Sequence, residues 1–167
     1  EVLAQRAKMK ALIELSRRLL PVIRKGFIGI GSGTTSNAFV SLNLGATSAD
    51  ESYMVTIDFA RLRMASGLMY TPKVTVTYSE ENKMYSFEQE MQMAEECYSS
   101  ADDQVYAVLY ETVLKRSKLI LLRARGENGN TSESLPEEWD STNVKGYAFA
   151  TTKNGKAASD SVCLTIA

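Results

Sequence analysis

No histidine occurs anywhere in the 167 residues. Its absence removes the commonest general base, proton shuttle and metal ligand. Ser-His and Cys-His nucleophilic mechanisms and His-ligated metal chemistry are excluded with it. What remains for chemistry is carboxylates, Lys, Tyr, Ser and two cysteines, Cys97 and Cys163. Two cysteines are too few for a disulfide framework or a zinc site, so either one bridge or two buried thiols is expected. No apolar run approaches the ~20 residues of a membrane-spanning helix, and no transmembrane segment is expected. Nor is a metal or disulfide needed to hold the core together, because a chain of this length buries roughly 70% of its unfolded surface, and no cofactor is expected.

What is present is an ordinary globular balance, 44% hydrophobic and 23% charged. The chain opens at Glu1 rather than Met, already inside a helical pattern, so processing or a preceding segment is expected and a leader stays open. From Val2 to Lys25, Leu12, Leu15, Leu19 and Val22 recur at helical spacing, with Ile13, Leu20 and Ile23 widening the stripe. Pro21 predicts a kink or an end near Leu20, and Gly26 a stop. Residues 27–36 read as a glycine-punctuated connector, and Ser36 to Leu44 as a short helix closed by Gly45, with strand as the alternative. The Gly29-Ile30-Gly31-Ser32-Gly33 run lacks the Lys of a phosphate loop and the G-x-G-x-x-G spacing.

From Tyr53 the period changes to two. Val55, Ile57, Phe59 and Leu62 begin a strand-like series, and Val74, Val76 and Tyr78 alternate with Lys73, Thr75 and Thr77. Glu80 to Lys83 makes a turn into Met84–Glu88, while Met91 to Cys97 is helical turn or loop. Val105–Thr112 and Lys118–Arg123 read as strands joined around Lys115-Arg116-Ser117, and Glu127-Asn128-Gly129-Asn130 is turn chemistry. Val144–Thr151 and Ser161–Ile166 form a last pair around Asn154-Gly155. Six to eight short strands without long intervening helices predict a mainly β fold, an immunoglobulin/fibronectin-like β-sandwich preceded by an amphipathic N-terminal helix. Residues 1–52 would be the helical arm and connector, and 53–167 the sandwich. Tyr106, Tyr110, Tyr147 and Trp139 are expected in its core, Tyr147 as the corner tyrosine.

Charge is unevenly spread. Residues 1–25 carry seven Lys/Arg against two Glu, a balance of +5, while the whole chain is −1, so the other 142 residues sum to −6. The basic helix face has three readings: docking on an acidic neighbour, binding nucleic acid, or simple solvation. A sequence pI of 5.6 and the lack of interleaved aromatics argue against nucleic acid. Docking to the acidic body of a like subunit fits the complement within the chain, with Arg6, Lys8, Lys10, Arg17 and Arg18 as the cations. Carboxylate pairs at Glu80-Glu81, Glu95-Glu96, Asp102-Asp103 and Glu137-Glu138 read as solvated loops, because sequence neighbours on a strand point apart. Asn130-Thr131-Ser132 is a glycosylation sequon, meaningful only in a secretory host.

The two ends are more specific. Leu3-Ala4-Gln5-Arg6-Ala7-Lys8-Met9-Lys10, followed by Leu19 through Phe27, resembles the helical region of an uncharacterised Bacteroidota protein family, domain-of-unknown-function family 6266. Leu135-Pro136 with Trp139, then Val144 to Leu164 with Asn154-Gly155-Lys156 and Ser159-Asp160-Ser161-Val162, is similar to the same family's C-terminal strands. The resemblance covers most of the chain in order and is weaker in the middle. Family members carry a glycine-rich, basic segment ahead of this helix, which the present sequence does not include. The resemblance implies a helix-plus-sandwich fold and a Bacteroidota-type host or its phage, and it supplies no activity and no catalytic residues. In such a host, Asp160-Ser161-Val162 and Asp140-Ser141-Thr142 are similar to the short O-glycosylation acceptor motif of exported proteins.

The expectation is therefore a non-enzymatic structural subunit of a cell-surface or virion assembly, self-associating as a homo-oligomer or filament. A cytoplasmic home stays open. The alternative is a monomeric surface adhesin or carbohydrate-binding module, favoured by exposed aromatics on one face and binding a glycan or surface receptor. A carboxylate enzyme such as a glycosidase would need a cleft with two carboxyl groups about 5–10 Å apart.

Overall fold

The computed structural model describes residues 1–29, 33–93 and 99–167. The chain folds as α1 (Val2–Arg18), α2 (Leu20–Gly26), α3 (Thr35–Asn43), then β1 (Thr47–Ala49), β2 (Val55–Ile57), β3 (Lys73–Ser79), β4 (Met84–Glu90), β5 (Gln104–Glu111), β6 (Arg116–Ala124), β7 (Gly129–Ser134), β8 (Val144–Thr151) and β9 (Val162–Leu164). Three antiparallel sheets result: β1-β2, β3-β4-β7 and β6-β5-β8-β9.

The break between α1 and α2 follows from Pro21, which lacks an N–H and is tolerated only in a first helical turn. Leu19 takes the non-helical conformation there, and its N–H donates back to Leu15 O and Ser16 O. Thr34 caps α3, its hydroxyl accepting from Asn37 N–H at 3.1 Å. Gly26 is required by space rather than by φ, since a Cβ there would stand 2.4 Å from Met64 O.

The four-stranded sheet is the centre of the molecule. On one face, Tyr106, Val108 and Tyr110 of β5 with Tyr147 and Phe149 of β8 share a core with Leu12, Leu15, Leu19, Val22, Ile23, Phe27 and Phe39. On the other, Val105, Ala107 and Leu109 with Ala148 and Ala150 share a core with Val74, Val76, Tyr85, Phe87 and Trp139. Strand period two thus sends alternate residues into two separate cores. The order is helices, four-stranded sheet, three-stranded sheet.

The helical segment is consequently not an arm. Leu12, Leu19, Val22 and Ile23 are fully buried against the sheet, and Lys25 Nζ lies 5.3 Å from the Tyr106 ring centroid. The expected connector begins with Phe27, itself a core residue in edge contact with Phe39 at 5.9 Å, while residues 30–32 lie outside the described residues. A division at 52/53 falls inside the β1-β2 hairpin, where Thr47 faces Ile57 and Ala49 faces Val55. Burial of both faces of β5 and β8 is what makes helices and sheets one body.

Two further ties matter. Arg125, 1% exposed, donates from Nε to Asp103 Oδ2 at 2.8 Å, from Nη1 to Gln92 Oε1 at 2.9 Å and from Nη2 to Tyr70 O at 2.8 Å. A buried charge needs this degree of satisfaction, and here it locks the chain before β3, after β4 and before β5 at one end of the strands. Tyr147 does not make a corner with its own strand's approach. Its hydroxyl donates to Phe59 O at 2.6 Å, pinning the segment after β2 to the sheet, because Tyr147 points to the helical side rather than between the sheets.

Candidate functional site

At the opposite end of β5 from Arg125, the β5–β6 turn projects as a knob. Glu111, the last residue of β5 and 1% exposed, accepts at Oε1 from Val113 N–H at 2.7 Å and Leu114 N–H at 3.2 Å. Its carbonyl accepts from Lys115 N–H at 2.8 Å, and both the N–H and the hydroxyl of Thr112 donate to Asn143 O. Lys115 sits in the left-handed region at φ 57°, closing the turn. A buried carboxylate therefore fixes a turn whose outward side chains are apolar: Val113 is 67% exposed and Leu114 36%.

Cations surround the knob. Arg17 and Arg18 close α1, where positive charge complements the helix dipole, and Ser117 Oγ donates to Arg18 O at 3.1 Å, docking the helix end on β6. Between them opens a cleft of about 550 Å³ lined by Arg17, Arg18, Lys115, Arg116, Lys118 and Trp139. Arg116 pairs with Glu138 at 3.6 Å and Lys118 pairs with Glu133. Arg17, Arg18 and Lys115 have no carboxylate within ion-pair distance among the described residues. Tyr110 floors a smaller neighbouring hollow of about 290 Å³. Burial pushes its phenol pKa up, Arg18 pulls it back and Glu111 pushes it further up.

The five cations expected to act together divide into three places. Arg17 and Arg18 line the cleft. Arg6 and Lys10 stand exposed on the outer face of α1, in one stripe with Ile13 and Arg17 at helical spacing. Lys8 is half-buried on another side of the helix. The residues joined to Arg17 and Arg18 instead are Lys115 and Arg116, read from sequence only as a strand joint, and Lys118, read as the first residue of the next strand. Three cations within 115–118 directly after Val113-Leu114 was the available signal.

The other expectations resolve singly. Asp103 is paired with Arg125, Glu80, Glu81, Glu137 and Glu138 are exposed, and Glu95-Glu96 lie outside the described residues. Cys163 is half-buried with its thiol pKa raised chiefly by burial, and Cys97 lies outside the described residues. Asn130 of the sequon is exposed on β7. Ser161 Oγ accepts from Met64 N–H at 2.8 Å. Among the described residues, no three His, Cys, Asp or Glu side chains gather as a metal site, and no helix is long and apolar enough to cross a membrane.

A second concavity, about 570 Å³, lies on the three-stranded sheet at the Arg125 end, lined by Lys73, Thr75, Glu88, Gln89, Glu90 and Asn130 among others. Gln89, 7% exposed, alternates with Glu88 and Glu90 and turns its side chain to the other face of β4, between the sheets, where its amide nitrogen donates to Arg123 O and Ala124 O, both at 2.9 Å. With both donors used, its Oε1 is left without a partner among the described residues. Comparison with family models, curated proteins and solved structures returns no match to this chain.

Proposed function

We propose that this chain is a non-enzymatic structural subunit that self-associates, of the kind built into a cell-surface or virion assembly. The observation that carries the reading is separation of charge across the layers. Residues 1–46, the helical side, hold seven Lys/Arg and two Glu. The three-stranded sheet with its β3–β4 turn, residues 73–90 and 129–134, holds five Glu and two Lys. The central sheet lies between these two, so the helical cations and the carboxylates of the three-stranded sheet face away from each other within one copy; Glu133 is paired with Lys118 and Glu90 with Lys73, and the helical cations reach the remaining carboxylates between copies.

The fold reading in finer detail supports such a module. Lettering β3 to β9 as A to G, the sheets run A-B-E and D-C-F-G. That differs from the constant-type immunoglobulin arrangement only in the sheet to which D belongs. The order favours an immunoglobulin/fibronectin-like sandwich, and the resemblance to the Bacteroidota family accords with helices ahead of it. The glycan-binding alternative gains no such observation. Tyr53 and Tyr70, the exposed aromatics among the described residues, stand on different loops.

Light-scattering mass and electron microscopy of the full chain at low and high salt test the reading. Polymers that shorten toward 1 M salt, where the Debye length falls to about 3 Å, are the expected result. A monomer at every salt and concentration overturns it.

A further inference from the structure

The hollow over Tyr110 is walled by three elements that the fold itself ties down. Ala11, Glu14, Leu15 and Arg18, spaced as one helix face, come from α1. Ile57 and Phe59 come from β2 and the segment after it, and Tyr110 and Lys115 from the end of β5 and its turn. Tyr147 Oη donates to Phe59 O at 2.6 Å, and Ser117 Oγ donates to Arg18 O at 3.1 Å. Glu111, beneath the turn, spends its carboxylate on the N–H groups of Val113 and Leu114. A hollow formed in advance binds without the cost of ordering its walls. Its interior is apolar: Leu15 is 5% exposed and Tyr110 2%, and the Phe59 and Tyr110 ring centroids lie 5.8 Å apart at a tilt of 31°. Its rim is exposed and cationic. Arg17, Arg18 and Lys115 stand there against one carboxylate, Glu14, a balance of +2. None of these four makes an ion pair among the described residues. The Tyr110 hydroxyl likewise has no hydrogen-bond partner among them.

We infer that this hollow binds a small aromatic carboxylate, its ring against Leu15, Phe59 and Tyr110 and its acid group at Arg18 and Lys115. The volume of about 290 Å³ is nearly twice the roughly 150 Å³ that takes up a benzene, which leaves room for a ring and an acid group. Aromatic walls favour a ring, held in offset or edge contact. The Arg18 guanidinium is a planar fork that takes both oxygens of a carboxylate, and Lys115 adds a point charge. Arg18 also acts electrostatically on the Tyr110 phenol, so cation and hydroxyl stand near one another and serve the same acid group. An uncharged ring would leave the cations without a partner, and an anion without a ring would leave the walls uncovered. Both parts of the ligand are therefore selected. The inference stands apart from self-association, because every group it uses belongs to one copy.

The test is a titration of the full chain with naphthoate, its uncharged analogue naphthamide, and acetate, read by calorimetry and by backbone amide shifts. Naphthoate is expected to saturate one site, with the largest shifts at residues 57–59 and 110–115. Naphthamide and acetate are each expected to bind at least about tenfold more weakly. Two variants place the site. Arg18→Gln with Lys115→Gln strips charge from exposed positions and is expected to cost naphthoate at least about tenfold while leaving naphthamide unchanged. Ala11→Trp keeps every charge, fills the hollow from α1 and is expected to abolish binding of both. A thermal melt confirms that each variant folds, and the glutamine pair decides the question alone where the tryptophan variant does not. Naphthoate that fails to saturate in the millimolar range overturns the site. So does naphthamide binding as tightly as naphthoate, or naphthoate binding that survives the glutamine pair.

Discussion

β5 and β3 are both interior-facing strands of about equal length, and they are built differently. Along β5, Val105 through Glu111 are all buried, whereas β3 alternates exposed and buried from Lys73 to Thr77. The difference is in what lies on either side. β5 has the helices on one face and β3-β4-β7 on the other, so successive residues Val105-Tyr106-Ala107-Val108-Leu109-Tyr110 each enter a core. β3 has a core on one side only, and its other row, Lys73, Thr75 and Thr77, meets water. A strand with continuous apolar residues announces two coverings, and an alternating one announces a single covering. The helical layer is therefore a wall of the structure that the central sheet cannot do without.

Deleting residues 1–46 breaks the comparison most severely. Tyr106, Val108, Tyr110, Tyr147 and Phe149 would face solvent, and the remaining chain is expected to aggregate or lose its cooperative melt. A fragment 47–167 that melts as sharply as the whole chain would make the helices an appendage after all. Phe149→Ala opens a cavity on the helical side against Tyr106, whose ring stacks on it at 5.4 Å. It should cost about 3–5 kcal/mol in a denaturant titration.

Tyr147→Phe removes the hydroxyl that satisfies Phe59 O and should cost about 1 kcal/mol, with the β2 side of the molecule loosening first in amide exchange. On the singly covered sheet, Tyr85 offers a sharper probe. Burial first, then the neighbouring Tyr78 and Glu80, push its phenol pKa up to about 12 from 10. Because the unfolded phenol loses its proton first, the folded form's advantage is complete below pH 10 and disappears as pH rises to about 12. The melting temperature should fall across that interval, and less steeply in Tyr85→Phe. The smallest effect belongs to the outer row, where Thr77→Ala should change stability by no more than about 0.5 kcal/mol.

Much of the fold could be read from the chain itself. Helical spacing with Pro21 placed the α1/α2 break, and the alternation at Lys73–Tyr78 with the Glu80–Lys83 turn placed the first long hairpin. β7 was not legible: Gly129-Asn130-Thr131-Ser132-Glu133-Ser134 has no branched apolar residue to mark a strand, and it exists through its ladder to β4, as in Ser132 facing Ser86. Nor did β1 stand out, at three residues. The two-sided burial of β5 and β8 was written in their apolar runs, yet counting strands alone hides it. Of the site, Arg17 and Arg18 emerged from charge counting, whereas Lys115 and Lys118 did not. Their meeting with α1 depends on a contact 99 residues apart in sequence, between Ser117 and Arg18. The second concavity needed the pairing of three strands, which no local pattern supplies.

The last residues of the chain cross to the other sheet and pair in parallel with β3: Val76 opposes Ile166, Tyr78 N–H donates to Ala167 O at 2.9 Å, and Ala167 N–H donates to Val76 O at 3.2 Å. In mechanical terms, these bonds stand side by side across the direction of pull. A tension drawn along the C-terminal strand would load them together in shear, along with the β8–β9 ladder, instead of peeling them one at a time. A unit so joined resists stretching from that end.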